Sequence, residues 1–135
     1  MMKDDRREEN FGCEHCWPPV ADAAWEARGV LTFVAELIDE SHFHVRILAC
    51  PRCAQRFVSV FNEMINWVGG SDPQYWTRLP LTKAEAADLV QQGDSFTETE
   101  LYALGSGRRS LQRGCPARAK EWLSWGIGIP LILHD

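Results

Sequence analysis

Cys13-Glu14-His15-Cys16 and Cys50-Pro51-Arg52-Cys53 are the two stretches around which the rest of this chain is organised. Two cysteines with two residues between them can bend around one ion, and two such pairs supply the four sulfur ligands that zinc takes at about 2.3 Å. We therefore predict one metal site made of Cys13, Cys16, Cys50 and Cys53. The alternatives are two unrelated pairs of buried thiols or two redox dithiols.

The two pairs together resemble a zinc ribbon of a small bacterial-type protein, and Cys50-Pro51-Arg52-Cys53 also resembles a rubredoxin knuckle. The resemblance covers residues 11–62. It implies a β-hairpin with the second pair at its tip and a zinc ion as cofactor, with iron as the alternative. The sequence departs from the usual pattern at Trp17 and Ala54, where glycine is common, and in the helix-like segment between the pairs. These departures favour zinc over iron.

The length of 135 residues is that of one domain, large enough to bury a hydrophobic core. We predict a mobile polar arm over residues 1–10 and a single zinc-ribbon-containing α+β domain over residues 11–135. No stretch approaches the eighteen or more apolar residues of a membrane span. Paired Cys-x-x-Cys motifs with one odd cysteine, Cys115, favour a reducing cytoplasmic location.

The periodicity of apolar residues predicts the elements around the second pair. Alternation predicts strands over residues 42–49 and 55–64, so that the Cys50–Cys53 turn joins two antiparallel strands. Residues 20–28 predict a short helix. Apolar residues at helical spacing predict a second helix over residues 30–39.

The second half of the chain contains two capping-box signatures and several turn residues. A strand is predicted over residues 74–79, and Thr82 with Glu85 and Thr97 with Glu100 predict two helix starts. Further helix is predicted over residues 107–113 and 116–126, followed by an edge strand over residues 127–133. The resulting fold class is α+β: a zinc-ribbon β-hairpin joined to a small antiparallel sheet with packed helices.

The net charge of −5 conceals an uneven distribution. Residues 1–105 contain nine Lys and Arg against seventeen Asp and Glu, whereas residues 106–135 contain five against two. The acidic part argues against broad contact with nucleic-acid phosphates. The basic part predicts either a solvated helix that pairs with the acidic residues or a contact surface. The residues predicted to contact a partner are Arg108, Arg109, Arg113, Trp122 and Trp125, with the two tryptophans on successive turns of a helix.

Three weaker patterns carry their own alternatives. His42 and His44 are spaced to chelate a metal from one strand face, but exposed strand histidines are the commoner case. Cys115 is either a nucleophile or a semi-buried structural thiol. Residues 105–109 read as a helix–helix linker, or as a loop that binds an anion through backbone amides and arginine.

These patterns leave three classes of function. We expect a non-enzymatic protein-interaction module with a structural zinc ion, which could neutralise a basic protein in the manner of an immunity protein. Rubredoxin-like electron transfer through iron is one alternative, and a nucleic-acid-binding zinc ribbon is the other. We predict that the partner is another protein. We expect neither binding to a membrane nor a small-molecule substrate.

Overall fold

The computed structural model describes residues 10–65 and 72–132. They form one antiparallel sheet of six strands in which every strand pairs with its neighbours in sequence. The predicted polar arm lies outside the described residues, except for Asn10. The strands are β1 (Thr32–Glu40), β2 (Phe43–Ala49), β3 (Arg56–Glu63), β4 (Gln74–Pro80), β5 (Arg109–Cys115) and β6 (Trp122–Ile127).

Three short α-helices accompany the sheet. Helix α1 (Ala21–Glu26) runs into a 3-10 turn (Ala27–Val30), and α2 (Lys83–Gln92) and α3 (Glu98–Ala103) connect β4 to β5. Both predicted capping boxes are present: in each, the N-cap threonine accepts from the backbone of the glutamate three residues on, whose carboxylate accepts from the threonine backbone. The longest described helix has ten residues, so within the described chain no helix could span a membrane.

The first hydrophobic core lies between one face of the sheet and helices α2 and α3. Strand alternation places Phe43, Val45 and Ile47 of β2 on this face, and all three are fully buried. Ala86 and Leu89 of α2 pack against them. The helices therefore close one side of the sheet.

The second core lies on the opposite face, toward the cysteine pairs. It contains Cys16, Trp17, Cys50, Phe57 and Leu111, and α1 packs over it. Because the first Cys-x-x-Cys pair precedes α1 and the second lies between β2 and β3, this core is where the two pairs meet.

The prediction of a helix over residues 30–39 is wrong, because this segment is β1. Its register against β2 shifts twice, once between Phe33 and Ala35 and once between Glu36 and Ile38. Each shift is a β-bulge that adds one residue, Val34 or Leu37, and resets the in–out alternation. Apolar residues in a regular strand recur every two positions. Two bulges three residues apart change this to a spacing that resembles that of a helix.

The predicted helices over residues 107–113 and 116–126 are also wrong, since these segments are largely β5 and β6. The regular strand β6 ends at Ile127, where an edge strand was predicted to begin. Strands β2 and β3 pair as an antiparallel hairpin, but they are the second and third strands of one six-stranded sheet and not a hairpin joined to a separate small sheet.

Candidate metal centre

The turn between β2 and β3 presents Cys50 and Cys53. The Cys50 amide donates to the Gln55 carbonyl and the Ala54 amide donates to the Cys50 carbonyl, both at 2.9 Å. The Arg52 amide points at the Cys50 Sγ from 3.4 Å. Ala54 has φ of +67°, the left-handed conformation that glycine adopts most easily. The turn thus requires a left-handed residue at the position where zinc knuckles commonly have glycine.

The turn over Cys13–Cys16 presents the other two thiols. The amides of Cys16 and Trp17 donate to the Cys13 carbonyl at 3.2 and 2.8 Å, and the Cys13 amide points at the Cys16 Sγ from 3.3 Å. Gly12 precedes the turn with φ of +73°. A Cβ at Gly12 would lie 2.6 Å from the Trp17 Cβ and 3.0 Å from the Cys16 Sγ. This close approach requires glycine.

The structure brings all four predicted cysteines together. Their Sγ atoms lie within 4.8 Å of one another. Three of the separations are 3.7 Å for Cys13–Cys16, 3.9 Å for Cys13–Cys50 and 3.7 Å for Cys16–Cys53. A tetrahedron with metal–sulfur bonds of about 2.3 Å has edges of about 3.8 Å. Three of the six separations therefore match the edges of a tetrahedral site, and the group is compatible with a zinc-ribbon-like site.

The electrostatic environment differs among the thiols. Burial raises the pKa of Cys13, but hydrogen bonds from the amides of His15 and Cys16 and from the thiols of Cys53 and Cys16 outweigh it and lower this pKa to about 7. Burial raises the pKa of Cys16 far above its ordinary value, and burial also raises that of Cys53. A bound cation would favour the thiolate at all four positions.

Gln55 joins the two turns and was not found from the sequence. Its Oε1 accepts from the Gly12 amide at 2.9 Å, and its Nε2 donates to the carbonyls of Arg56 and Leu81, both at 2.7 Å. A second link joins the exposed side chains of Arg52 and His15, whose Nη1 and Nε2 lie 2.9 Å apart. Gln55 fixes the first turn to the backbone of β3, and no local pattern marks a side chain whose partners lie 26 and 43 residues away.

Trp17 packs in the same hydrophobic core as Cys16 and Cys50. Its ring lies 5.2 Å from the Phe57 ring and 5.0 Å from the Trp125 ring, the latter edge to face. The Arg109 guanidinium lies over the Trp125 ring, 3.9 Å from its centroid. Such aromatic contacts add to the free energy of burial and so stabilise the core next to the site.

Of the residues predicted to contact a partner, Arg109 packs on Trp125, whereas Arg108 and Trp122 lie in other surroundings. Arg108 binds Glu85 through two nitrogens, at 2.7 and 3.1 Å, and donates to the Pro80 carbonyl. Trp122 is 41 % exposed, whereas Trp125 packs on Trp17. Since they are three residues apart on β6, strand alternation places the two tryptophans on opposite faces of the sheet. They therefore do not lie on successive turns of a helix.

The remaining sequence candidates are also placed by the structure. His42 Nδ1 lies 3.0 Å from Glu63 Oε1, and His44 Nδ1 lies 3.0 Å from Asp39 Oδ1 outside hydrogen-bonding direction. The two histidines therefore face different carboxylates. Cys115, which is partly buried, donates to Glu121 at 3.8 Å. Residues 105–109 link α3 to β5 and are not a helix–helix linker.

A cleft of about 370 Å³ lies between the β1–β2 edge and the loop before α3. Sequence reasoning identified only the general acidity of this part of the chain. Four carboxyl groups line the cleft, and among its described lining residues there is no lysine or arginine. The four are Asp39, Glu40, Asp94 and Glu98.

The cysteine group could hold a metal ion, and the acidic cleft offers a carboxyl-lined surface. Comparison of the chain with protein-family models, with curated proteins and with solved structures finds no match.

Proposed function

We propose that this chain is a non-enzymatic zinc-binding protein whose single zinc ion is structural, held by Cys13, Cys16, Cys50 and Cys53. The observation that carries this proposal is the group of four Sγ atoms within 4.8 Å of one another, in which three separations of 3.7 to 3.9 Å match the edges of a tetrahedral site. With sulfur at all four corners, no coordination position remains for a water or a substrate. The ion then contributes free energy of folding and no Lewis-acid catalysis.

The zinc would act as a cross-link between the segment before α1 and the β2–β3 turn. Cys16 and Cys50 are buried in the same core as Trp17 and Phe57, so the ion would hold this core together. A small domain gains most from such a link where it closes a long segment of chain, here residues 17–49. The site resembles a zinc ribbon in its ligand set and in the hairpin that carries the second pair.

We propose further that the folded sheet is a protein-interaction module for a basic partner, as in an immunity protein that neutralises a cationic toxin. The acidic cleft supports this proposal, because exposed carboxylates such as Glu40 and Asp94 complement a cationic surface. The excess of acids over bases in residues 1–105 extends the same charge. A cytoplasmic location would keep the four thiols reduced and able to bind zinc.

The metal is tested by elemental analysis and an absorption spectrum of untagged protein purified without added metal. One colourless zinc ion per chain is expected. A red protein with one iron ion that dithionite bleaches would replace the structural role with rubredoxin-like electron transfer, since iron fits the same sulfur geometry. Folded protein with neither metal would overturn the proposal.

The basic partner is tested with an oligoarginine peptide as the probe. Glu40→Gln combined with Asp94→Asn should weaken binding several-fold. Asp22→Asn combined with Glu26→Gln removes the same two charges from exposed positions on α1 and is the matched control. Equal weakening by both pairs would show that net charge alone attracts the peptide and that the cleft has no special part.

Nucleic acid remains the second candidate partner, through the basic residues of the C-terminal part. Arg108 and Arg113 already pair with Glu85 and Glu121, which leaves less positive charge for phosphates. Binding of single-stranded RNA that falls steeply with salt and with Arg109→Gln would favour this candidate over the basic protein.

A further inference from the structure

A second cavity, of about 310 Å³, opens on the sheet face opposite helices α2 and α3. It lies between α1 and strands β2 to β5, and it contains none of the four cysteines. Two tryptophans and three arginines dominate its lining: Trp25, Trp76, Arg28, Arg78 and Arg113. Leu48 and Leu111 supply further apolar surface.

Arg78 places a buried positive charge at this cavity. The side chain is only 6 % exposed, and both terminal nitrogens donate to the Ala24 carbonyl, at 3.1 and 2.8 Å. Burial is the main cause that lowers the pKa of Arg78, to about 10, and the nearby Arg28 lowers it further, while the Cys16 thiol opposes both effects. Within the described residues no carboxylate pairs with this guanidinium.

The other two arginines are held against the tryptophan rings. The Arg28 guanidinium lies 4.4 Å from the Trp25 centroid, and its Nη1 donates to the Trp25 carbonyl at 2.8 Å. The Arg113 guanidinium lies 4.8 Å from the Trp25 centroid and 5.1 Å from that of Trp76. Its described ion-pair partner is Glu121, which is 61 % exposed and therefore a weak competitor for the charge.

The local charge balance favours an anion. Three guanidinium groups meet at one cavity, and a single solvent-exposed carboxylate is paired with them among the described residues. Guanidinium presents a planar set of donors that fits the oxygens of a phosphate or a carboxylate. Trp76 forms a wall beside them and contacts Phe61 on its outer side, with the ring centroids 5.4 Å apart. A ligand that combined an anionic group with a flat apolar part could contact both the guanidinium groups and the tryptophan ring.

We propose that this cavity binds a small aromatic anion, with its phosphate or carboxylate group at Arg28, Arg78 and Arg113 and its ring against Trp76 and Leu48. The size agrees, since cavities of about 300 Å³ are at the lower end of those that hold small ligands. This site is separate from the metal centre and does not depend on which ion the cysteines hold.

The test uses the full chain loaded with its metal and follows binding by calorimetry and by shifts of the tryptophan indole N–H signals. Phenyl phosphate and benzoate represent the two possible anionic groups. The one with the lower dissociation constant shows whether the cavity prefers a phosphate or a carboxylate. Phenol and inorganic phosphate test the ring and the charge separately. We expect saturable binding of at least one aromatic anion and weaker binding of both fragments.

Arg113→Gln should raise the dissociation constant of the more tightly bound aromatic anion at least tenfold. It should leave the circular dichroism spectrum unchanged. Arg28→Gln, at a more exposed position, gives the same test if Arg113→Gln proves unstable. Arg118→Gln removes an equal charge from the exposed β5–β6 connection and should change the dissociation constant less than twofold.

Absence of saturable binding by both aromatic anions would overturn the proposal. So would equal weakening in Arg118→Gln, because attraction would then come from overall charge. Inorganic phosphate that binds as tightly as phenyl phosphate would overturn the part assigned to Trp76 and Leu48.

Discussion

The Sγ atoms of Cys16 and Cys53 lie 3.7 Å apart although 37 residues separate them in the chain. One thiol is buried in the same core as Trp17, and the other is exposed at the tip of the β2–β3 turn. A metal ion between them would join the buried core to the surface turn.

Cys50→Ser should remove the bound metal and destabilise the fold. Loss of a structural ion is among the largest single-residue effects, so we expect a decrease in the free energy of unfolding of more than about 4 kcal/mol. The midpoint of thermal unfolding, with metal content measured on the same sample, checks this. Cys115→Ser is the matched control and should leave both quantities unchanged. Loss of metal from the control would mean that the ligand set is wrong.

Gly12→Ala should destabilise the protein by about 2 kcal/mol or more, because it combines a left-handed φ with a clash against Trp17. Chemical denaturation measures the change. Gly29→Ala is the control: a Cβ there meets nothing within 4 Å, so we expect a change of less than about 1 kcal/mol. Equal effects of the two substitutions would contradict the close packing described for the first turn.

Ala54→Gly should stabilise the protein by up to about 1 kcal/mol, because glycine relieves the left-handed strain at φ of +67°. The gain is limited, since glycine also loses more backbone entropy on folding than alanine does. The thermal midpoint of metal-loaded protein is the measurement. A clear decrease in that midpoint would show that the turn does not hold Ala54 in this conformation.

The Glu85–Arg108 pair should make stability depend on pH. Burial raises the pKa of Glu85, but hydrogen bonds from Arg108 and from the Thr82 backbone outweigh it, and the folded pKa is lowered. The unfolded value is about 4.3. The stabilisation is therefore complete above that pH and is lost as the pH falls through it toward the lower folded pKa.

Glu85→Gln should reduce the loss of stability between about pH 6 and pH 3, measured by thermal unfolding of the variant beside the parent protein. Glu100 caps α3 as Glu85 caps α2, but it has no arginine partner among the described contacts. Glu100→Gln should therefore change the pH dependence of stability less than Glu85→Gln does. Parallel pH profiles for Glu85→Gln and the parent would contradict the assignment.

The sequence predicted the elements whose signals are local. β2 and β3 alternate regularly, and the helix starts at Thr82 and Thr97 carry complete capping boxes. The proximity of the four cysteines was predictable for the same reason, since each pair forms its own turn and the chemistry of one ion requires both.

The sequence misled where tertiary contacts decide the conformation. β5 contains Arg, Ser, Gln and Gly, residues with little preference for strands, and it is held by its two neighbours and by tryptophan rings. The spacing of Trp122 and Trp125 fits a helix equally well, and only pairing with β5 decides between the two conformations. The arginines of the second cavity come from the 3-10 turn after α1 and from two strands, so their meeting depends on the whole fold.

The two bulges of β1 also bear on how copies of this protein behave in concentrated solution. In the described part of the chain β1 is an outer strand of the open sheet, and a long, flat outer strand would invite edge-to-edge aggregation. The bulges at Val34 and Leu37 interrupt the even row of backbone donors and acceptors, and Asp39 and Glu40 add repulsion between like copies. The irregularity that imitates a helix in the sequence therefore opposes pairing of copies along the β1 edge.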